Sequence, residues 1–327
     1  MNRWLFEKIS ADDNSRKPSF SVRGIDNWFR ALRFEIESAH GTTVQQQVES
    51  CRNFHNQNKP QKTHPNLATS ALFEQLFFSV LYCMTVDRFS SELSTTPWVR
   101  PTAIVDWYYA VYFSIRAILP IFGHRISEDH SKTAKFVAST FRTHLPYPFD
   151  MFARRSTGEE YKTYVGGDQP QHYDLNRSFS PTRSISQGML AQYLGGTAEW
   201  YTIRTKNKIL ADKKLKIENF RTKLAREKRD EQLISEIGFL HCAYRQRTKA
   251  NYRDAIYLSY HYGEEIGLEA FISNLSVSAK FASINAIACA EHYIGRNDIR
   301  AFIDDLRVNL RGIDTATPSE KYWAEFL

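Results

Sequence analysis

The sequence predicts a mainly α chain, a helical bundle with extra helices and a loop-rich insertion. Three observations carry that reading. Apolar residues recur at helical spacing, as at Ile25, Trp28, Phe29, Leu32 and Ile36, where a period near 3.6 gathers them on one face. Proline and glycine are concentrated rather than spread. Residues 145–183 hold Pro146, Pro148, Gly158, Gly166, Gly167, Pro170 and Pro181, and so read as a functional loop or a small substructure with a short hairpin. Elsewhere no convincing set of strands stands out.

The elements follow in order. Asp26 is placed as the start of a first helix running to Ala39. Residues 53–66, polar and holding Pro60 and Pro65, read as a linker. An apolar helix is expected from Ser70 to Ser90; its core, Ala71–Val86, contains Glu74 and is short for a bilayer. Pro97 and Pro101 then punctuate the chain. The run from Asp106 to Leu119 has apolar residues at 108, 111, 112, 115, 118 and 119, one broad helical face ended by Pro120 and Gly123. Ser127, with Glu128 and Asp129 behind it, resembles a helix start for a segment reaching Thr143. Helices resume near Ser186. Arg204 to Asp230 reads as a long amphipathic helix with a basic outer face and a stripe of Ile209, Leu210, Ile217, Phe220 and Leu224. Further helices are expected over 232–262, 268–294 and 298–310, the last capped by Asp298.

The expected organisation is therefore an N-terminal helical extension and linker over 1–66 and a first part of the bundle over 67–144. A loop-rich insertion over 145–185 follows, then the basic helix and the second part of the bundle over 186–327. The net charge of +7 and pI near 9.1 favour a polyanionic partner, nucleic acid before acidic protein, although a solvated surface has the same composition. Cys51, Cys83, Cys242 and Cys289 are far apart and show no CxxC spacing, which fits reduced cytosolic thiols better than a zinc site or disulfides. Charges interrupt the N-terminus too early for a signal peptide. The expectation is a soluble cytoplasmic protein with no membrane segment, no cofactor and no metal. Walker, GxGxxG, GxSxG and HExxH patterns are absent.

Two stretches carry a resemblance. The first is Tyr108-Tyr109-Ala110-Val111-Tyr112-Phe113-Ser114-Ile115-Arg116-Ala117-Ile118-Leu119, followed by Gly123 and by His130-Ser131. The second runs from Arg247 through Ala250, Asn251 and Tyr252 to Asp254. Together they resemble the HEPN family (higher eukaryotes and prokaryotes nucleotide-binding), whose signature helix reads tyrosine-tyrosine-alanine, then arginine-alanine-leucine-leucine. A histidine-serine-glycine turn and a late arginine-x-x-alanine-aspartate-tyrosine helix follow in that family. Lys132 stands in the glycine place and Asn251 in the aspartate place. The resemblance covers about half the chain and implies a bundle interrupted by the insertion. It also implies an RNA-directed protein of the toxin or antiphage-defence kind, acting as a homodimer or within a complex.

Ribonuclease members of that family use an arginine and a histidine four to six residues apart, and Arg125 and His130 have that spacing. A neutral imidazole can take the proton of an attacking 2′-hydroxyl and a fixed guanidinium can stabilise phosphate charge. Ile126 departs from the polar residue usual after the arginine. The alternative is a solvated Arg125 and a helix-capping His130. Arg116 is read as a phosphate-binding residue or as half of an ion pair with Asp254 or Glu291. Lys213, Lys214, Lys216, Arg221, Lys223, Arg226 and Arg229 are candidates for tracking a nucleic-acid backbone, with Tyr193, Trp200, Tyr201, Tyr244 and Tyr252 as stacking surfaces; a solvated face is the alternative. The rival to a ribonuclease is a non-catalytic HEPN-like subunit that binds nucleic acid or protein.

Overall fold

Helix α1 runs from Pro18 to His40, so Asp26 is not its cap. The computed structural model describes residues 18–58, 69–92, 97–166, 174, 177–252, 254–259 and 266–309. Pro60 and Pro65 of the expected linker, Gly167–Tyr173 of the insertion, and the expected helix ends at Tyr262 and Leu310 lie outside them. Asp26 is fully buried and paired at 3.1 Å with Arg100, also fully buried. Arg100 donates a further bond of 2.7 Å to the Ile266 carbonyl. Such a pair holds only with hydrogen bonds of this quality, since each charge alone is costly to bury.

The described chain is mainly helical, with eleven α-helices. Helix α2 (Val44–Gln57) extends into the stretch read as linker. Its signal was present: Thr43 and Gln46 form a reciprocal capping box. Helices α3 (Thr69–Glu92), α4 (Arg100–Ile118) and α10 (Leu268–Ile294) pack along one another as the centre of the bundle. Where they meet, Ser79 Oγ lies 2.6 Å from Ser114 Oγ and 2.7 Å from Ser283 Oγ. Three small side chains let the backbones approach and satisfy one another's hydroxyls. Helix α3 has the length and composition to cross a bilayer, more than the sequence reading allowed. Here its Leu72, Leu76, Val80, Cys83 and Val86 are buried in the bundle.

Helix α1 belongs to the core rather than to a peripheral extension. Trp28 and Phe29 stand edge-on to Trp107 at 5.5 and 4.8 Å between ring centroids, and Trp107 Nε1 donates to Ser278 Oγ at 2.7 Å. Buried Glu35 accepts from the hydroxyls of Tyr147 and Ser186, which ties α1 to the insertion.

After α4 a short 3-10 turn ends at Gly123, whose φ of 76° suits glycine. Helix α5 (His130–Phe136) continues as a π turn over Val137–Phe141 and a 3-10 turn over Arg142–His144. Strands β1 (Phe152–Arg155) and β2 (Tyr161–Tyr164) form the antiparallel hairpin, and β3 (Glu236–Gly238) pairs antiparallel with β1, giving the order β2-β1-β3. The sequence reading missed β3, since its three residues gain their ladder only from a distant segment.

Helix α6 (Arg183–Ala211) ends well before Asp230, so the expected long basic helix is two pieces. Asp212 captures the Lys214 N–H, Asn219 the Arg221 N–H, and Thr222 caps α7 (Lys223–Gln232) through the Ala225 N–H. Three local side-chain acceptors offer the backbone an alternative that a narrow apolar stripe does not outweigh. Helix α8 (Phe239–Asn251) lies against α4 and α6, followed by α9 (Ala255–Ser259). Helix α10 keeps the expected bounds, and α11 (Arg296–Asn309) holds Asp298 in its first turn.

Candidate functional site

Three helices meet at His130. Helix α4 presents Tyr108 and Tyr112, each 1% exposed, toward the core. Tyr109, Phe113 and Arg116, at spacings of four and three, form its half-buried flank. Helix α5 begins at His130 because the Asp129 carboxylate accepts the N–H groups of Ser131 and Lys132 at 2.8 and 3.1 Å. The cap is Asp129 rather than Ser127, and this folds the half-buried His130 ring back onto α4. Helix α8 brings Tyr244 and Arg247 from the other side.

The imidazole is enclosed by aromatic rings. Its centroid lies 4.4 Å from that of Tyr112, 5.6 Å from Tyr108, and 6.1 Å from both Tyr109 and Tyr244. Its Nδ1 is 2.7 Å from the Tyr108 hydroxyl. Burial holds that hydroxyl protonated, well above the ordinary tyrosine range. The imidazole pKa is lowered by burial and then by the charges of Arg247 and Arg116, with Asp129 opposing. His130 is therefore neutral at pH 7.

Arg247 donates from Nη2 to the Tyr109 hydroxyl at 3.0 Å. Its guanidinium carbon lies 5.2 Å from the Tyr109 ring and 5.5 Å from the Tyr108 ring. The Arg116 guanidinium sits 5.1 Å from the Tyr112 ring and 5.6 Å from that of Phe113. The Nε atoms of both arginines are buried without a hydrogen-bond partner. Among the described residues neither guanidinium has a carboxylate: Asp254 is taken by Lys249 and Glu291 by Arg52.

Two other concavities differ. A cleft of about 310 Å³ holds Arg52, Asn56, His292 and Arg296, but Glu291 takes Arg52 at 2.7 Å and Arg296 at 3.6 Å. A cleft of about 510 Å³ beside the hairpin holds Arg154 and Arg155, which Glu236 and Asp230 engage at 2.7 and 3.7 Å. Among the described residues no three His, Cys, Asp or Glu side chains converge as metal ligands.

Of the residues singled out from sequence, the structure brings His130 and Arg116 together. Arg125 lies on the exposed turn before α5, and the arginines that act on the His130 ring are Arg247 and Arg116. Lys213, Lys214, Lys216, Arg221, Lys223 and Arg226 are exposed on the α6–α7 connection and on α7. Arg229 is not available to a phosphate: its side chain is 11% exposed and bound by Glu159 at 2.6 Å and Asp230 at 2.8 Å. The proposed stacking residues do not form one surface. Tyr193 and Tyr201 are buried, Tyr252 is exposed, and Tyr244 belongs to the His130 cluster. Sequence reasoning missed the pairing of Arg247 with Tyr109, although each stands in one of the two stretches that carry the HEPN resemblance.

No protein-family model, curated protein or solved structure matches the chain.

Proposed function

We propose that the chain is an RNA-directed, HEPN-like protein of the toxin or antiphage-defence kind, a metal-independent endoribonuclease working in the cytoplasm as a homodimer. One observation carries the reading: a neutral, half-buried His130, tied by Nδ1 to Tyr108, stands where α4, α5 and α8 meet beside two arginines. When Nδ1–H is donated to the Tyr108 oxygen, Nε2 is bare and can accept a proton. His130 then takes the 2′-hydroxyl proton and the 2′-oxygen bonds to the adjacent phosphorus. The bond from phosphorus to the 5′-oxygen breaks, leaving a 2′,3′-cyclic phosphate. The departing 5′-oxygen takes a proton from water, and the imidazolium returns its own to solvent. Nearby guanidiniums offset the charge on the phosphoryl oxygens.

The test is incubation of purified protein with total RNA in EDTA, beside His130→Ala and Tyr108→Phe. The expected result is cleavage lost in the first and weakened in the second, with ends carrying cyclic phosphate. Cleavage that persists in His130→Ala removes the histidine from the mechanism.

A second reading, a non-catalytic subunit that binds nucleic acid, is favoured by the exposed Lys213, Lys214, Lys216, Arg221 and Arg226. It predicts salt-dependent RNA binding without cleavage, weakened when these residues are neutralised together.

A further inference from the structure

We infer that Arg247 and Arg116 form a phosphate-binding site beside His130, with Arg247 as its principal ligand and Tyr109 as the residue that orients it. The anion site stands on the geometry alone; that its natural ligand is a phosphodiester rests on the RNA reading above.

Three groups able to carry positive charge gather around the Tyr108 and Tyr112 rings; Asp129 acts on the imidazole, but among the described residues neither guanidinium has a carboxylate. A half-buried guanidinium without a counter-charge is unfavourable, and a fold normally supplies a partner. This fold does so elsewhere: Arg100 has Asp26, Arg52 has Glu291, and Arg229 has Glu159. At the His130 cluster two guanidiniums lie against aromatic faces, where ring electrons are weak counter-charges. The Nε–H of each is shielded from water yet donates to nothing. Being shielded, those Nε–H groups stay against the rings, and the Nη groups are the ones a ligand's oxygens would meet. An anion with several acceptor oxygens would satisfy both guanidiniums, and guanidinium geometry matches phosphate in a fork.

Tyr109 sets the aim. Its hydroxyl holds Arg247 Nη2 at 3.0 Å, which leaves Nη1 and the second Nη2 proton for a ligand. The tyrosine ring in turn stacks on Tyr82 of α3 at 5.1 Å between centroids. Arg247 is thus aimed by two packed rings rather than left free as a surface arginine.

The probe is inorganic phosphate, followed by an oligonucleotide carrying 2′-O-methyl groups throughout so that it cannot be cut. The readout is the NMR titration of the His130 ring in the full chain, assigned by its loss in His130→Gln. Saturating phosphate is expected to raise the midpoint of His130 by about one unit, since the anion offsets the arginine charges. In Arg247→Gln the midpoint should already be higher without phosphate, and phosphate affinity should fall at least about tenfold. Tyr109→Phe, which keeps the charge, should weaken binding by a few-fold. Arg247→Lys, which keeps the charge and loses the fork, should also weaken it and guards against a fold lost in the glutamine variant. Arg307→Gln on α11 should change nothing.

Phosphate bound by Arg247→Gln as tightly as by the wild type overturns the inference. So does a His130 titration indifferent to saturating phosphate, or binding abolished by Arg125→Gln instead. Cleavage of RNA at full rate by Arg247→Gln would sink the site and spare the ribonuclease reading. Phosphate binding as expected in a protein that never cuts RNA would do the reverse. Tighter binding of the methylated RNA than of free phosphate supports the diester; equal binding overturns that identity.

Discussion

Asp106 shows how one side chain can work against its own fold. It stands one turn before Tyr109 on α4, and burial pushes its carboxyl up to about 6. An acid whose pKa is raised by folding binds its proton more tightly in the native state. Its contribution is most favourable below the unfolded value near 4 and is lost as pH rises through about 6. Asp106→Asn should therefore raise the melting temperature at pH 8 by a few degrees and leave it nearly unchanged at pH 4. A fall at pH 8 would mean that the carboxylate has a partner worth more than its burial costs. Single residues were also the scale at which the site was partly readable. His130 and Arg116 stand out by type and spacing. Arg247 did not, because its partner Tyr109 lies on another helix and its neighbours in sequence give no hint of the contact.

Elements place the site. Gly238 ends β3 and caps α8, so it fixes where Tyr244 and Arg247 begin their approach to His130. A Cβ there would lie 3.0 Å from the Ala138 Cβ and 3.3 Å from its Cα in the π turn that continues α5. The backbone of Gly238 is extended, so the objection to a side chain is space rather than conformation. Gly238→Val should cost about 1–3 kcal/mol in urea unfolding through overpacking, and should weaken the proposed phosphate binding in the fraction that folds. Unchanged stability would mean that α5 and α8 yield freely. Long helices were legible because a broad apolar face and flanking glycines mark them. Helix α10, between Gly267 and Gly295, was read with its true bounds. A short hairpin was legible in the proline- and glycine-rich stretch, but its bounds and the third strand were not. Arg154, Arg155 and Lys162 sit within four-residue segments whose partners are set by tertiary pairing rather than by local pattern.

Across the molecule, buried histidines set the response to acid. Burial lowers the pKa of His40, His130 and His144, takes His55 down to about 4 and His241 to about 3. A base depressed in the fold contributes stability that is complete above its unfolded value near 6.5 and is lost as pH falls toward the folded value. Asp106 and Asp150, both raised to about 6, act in the opposite sense over the same range. The falls at His55 and His241 are larger than the rises at Asp106 and Asp150, and the other three histidines act in the same sense, so stability should fall between pH 6.5 and about 4, followed by circular dichroism in urea. A stability that holds constant over that range would contradict the neutral buried imidazoles. The helical class was legible from composition and periodicity; the way the two halves of the chain interlock was not. The basic connection from Ala211 to Lys223 shows what that interlocking leaves loose. The chain departs from the sheet after β2 and returns to it at β3. Lys206 and Arg229, one on each side of the connection, both grip Glu159 on the hairpin. A loop closed at its base in this way can be lengthened, shortened or recharged over generations while the bundle beneath it stays the same, which makes it a region where descendants of this chain can diverge in surface charge without disturbing the core.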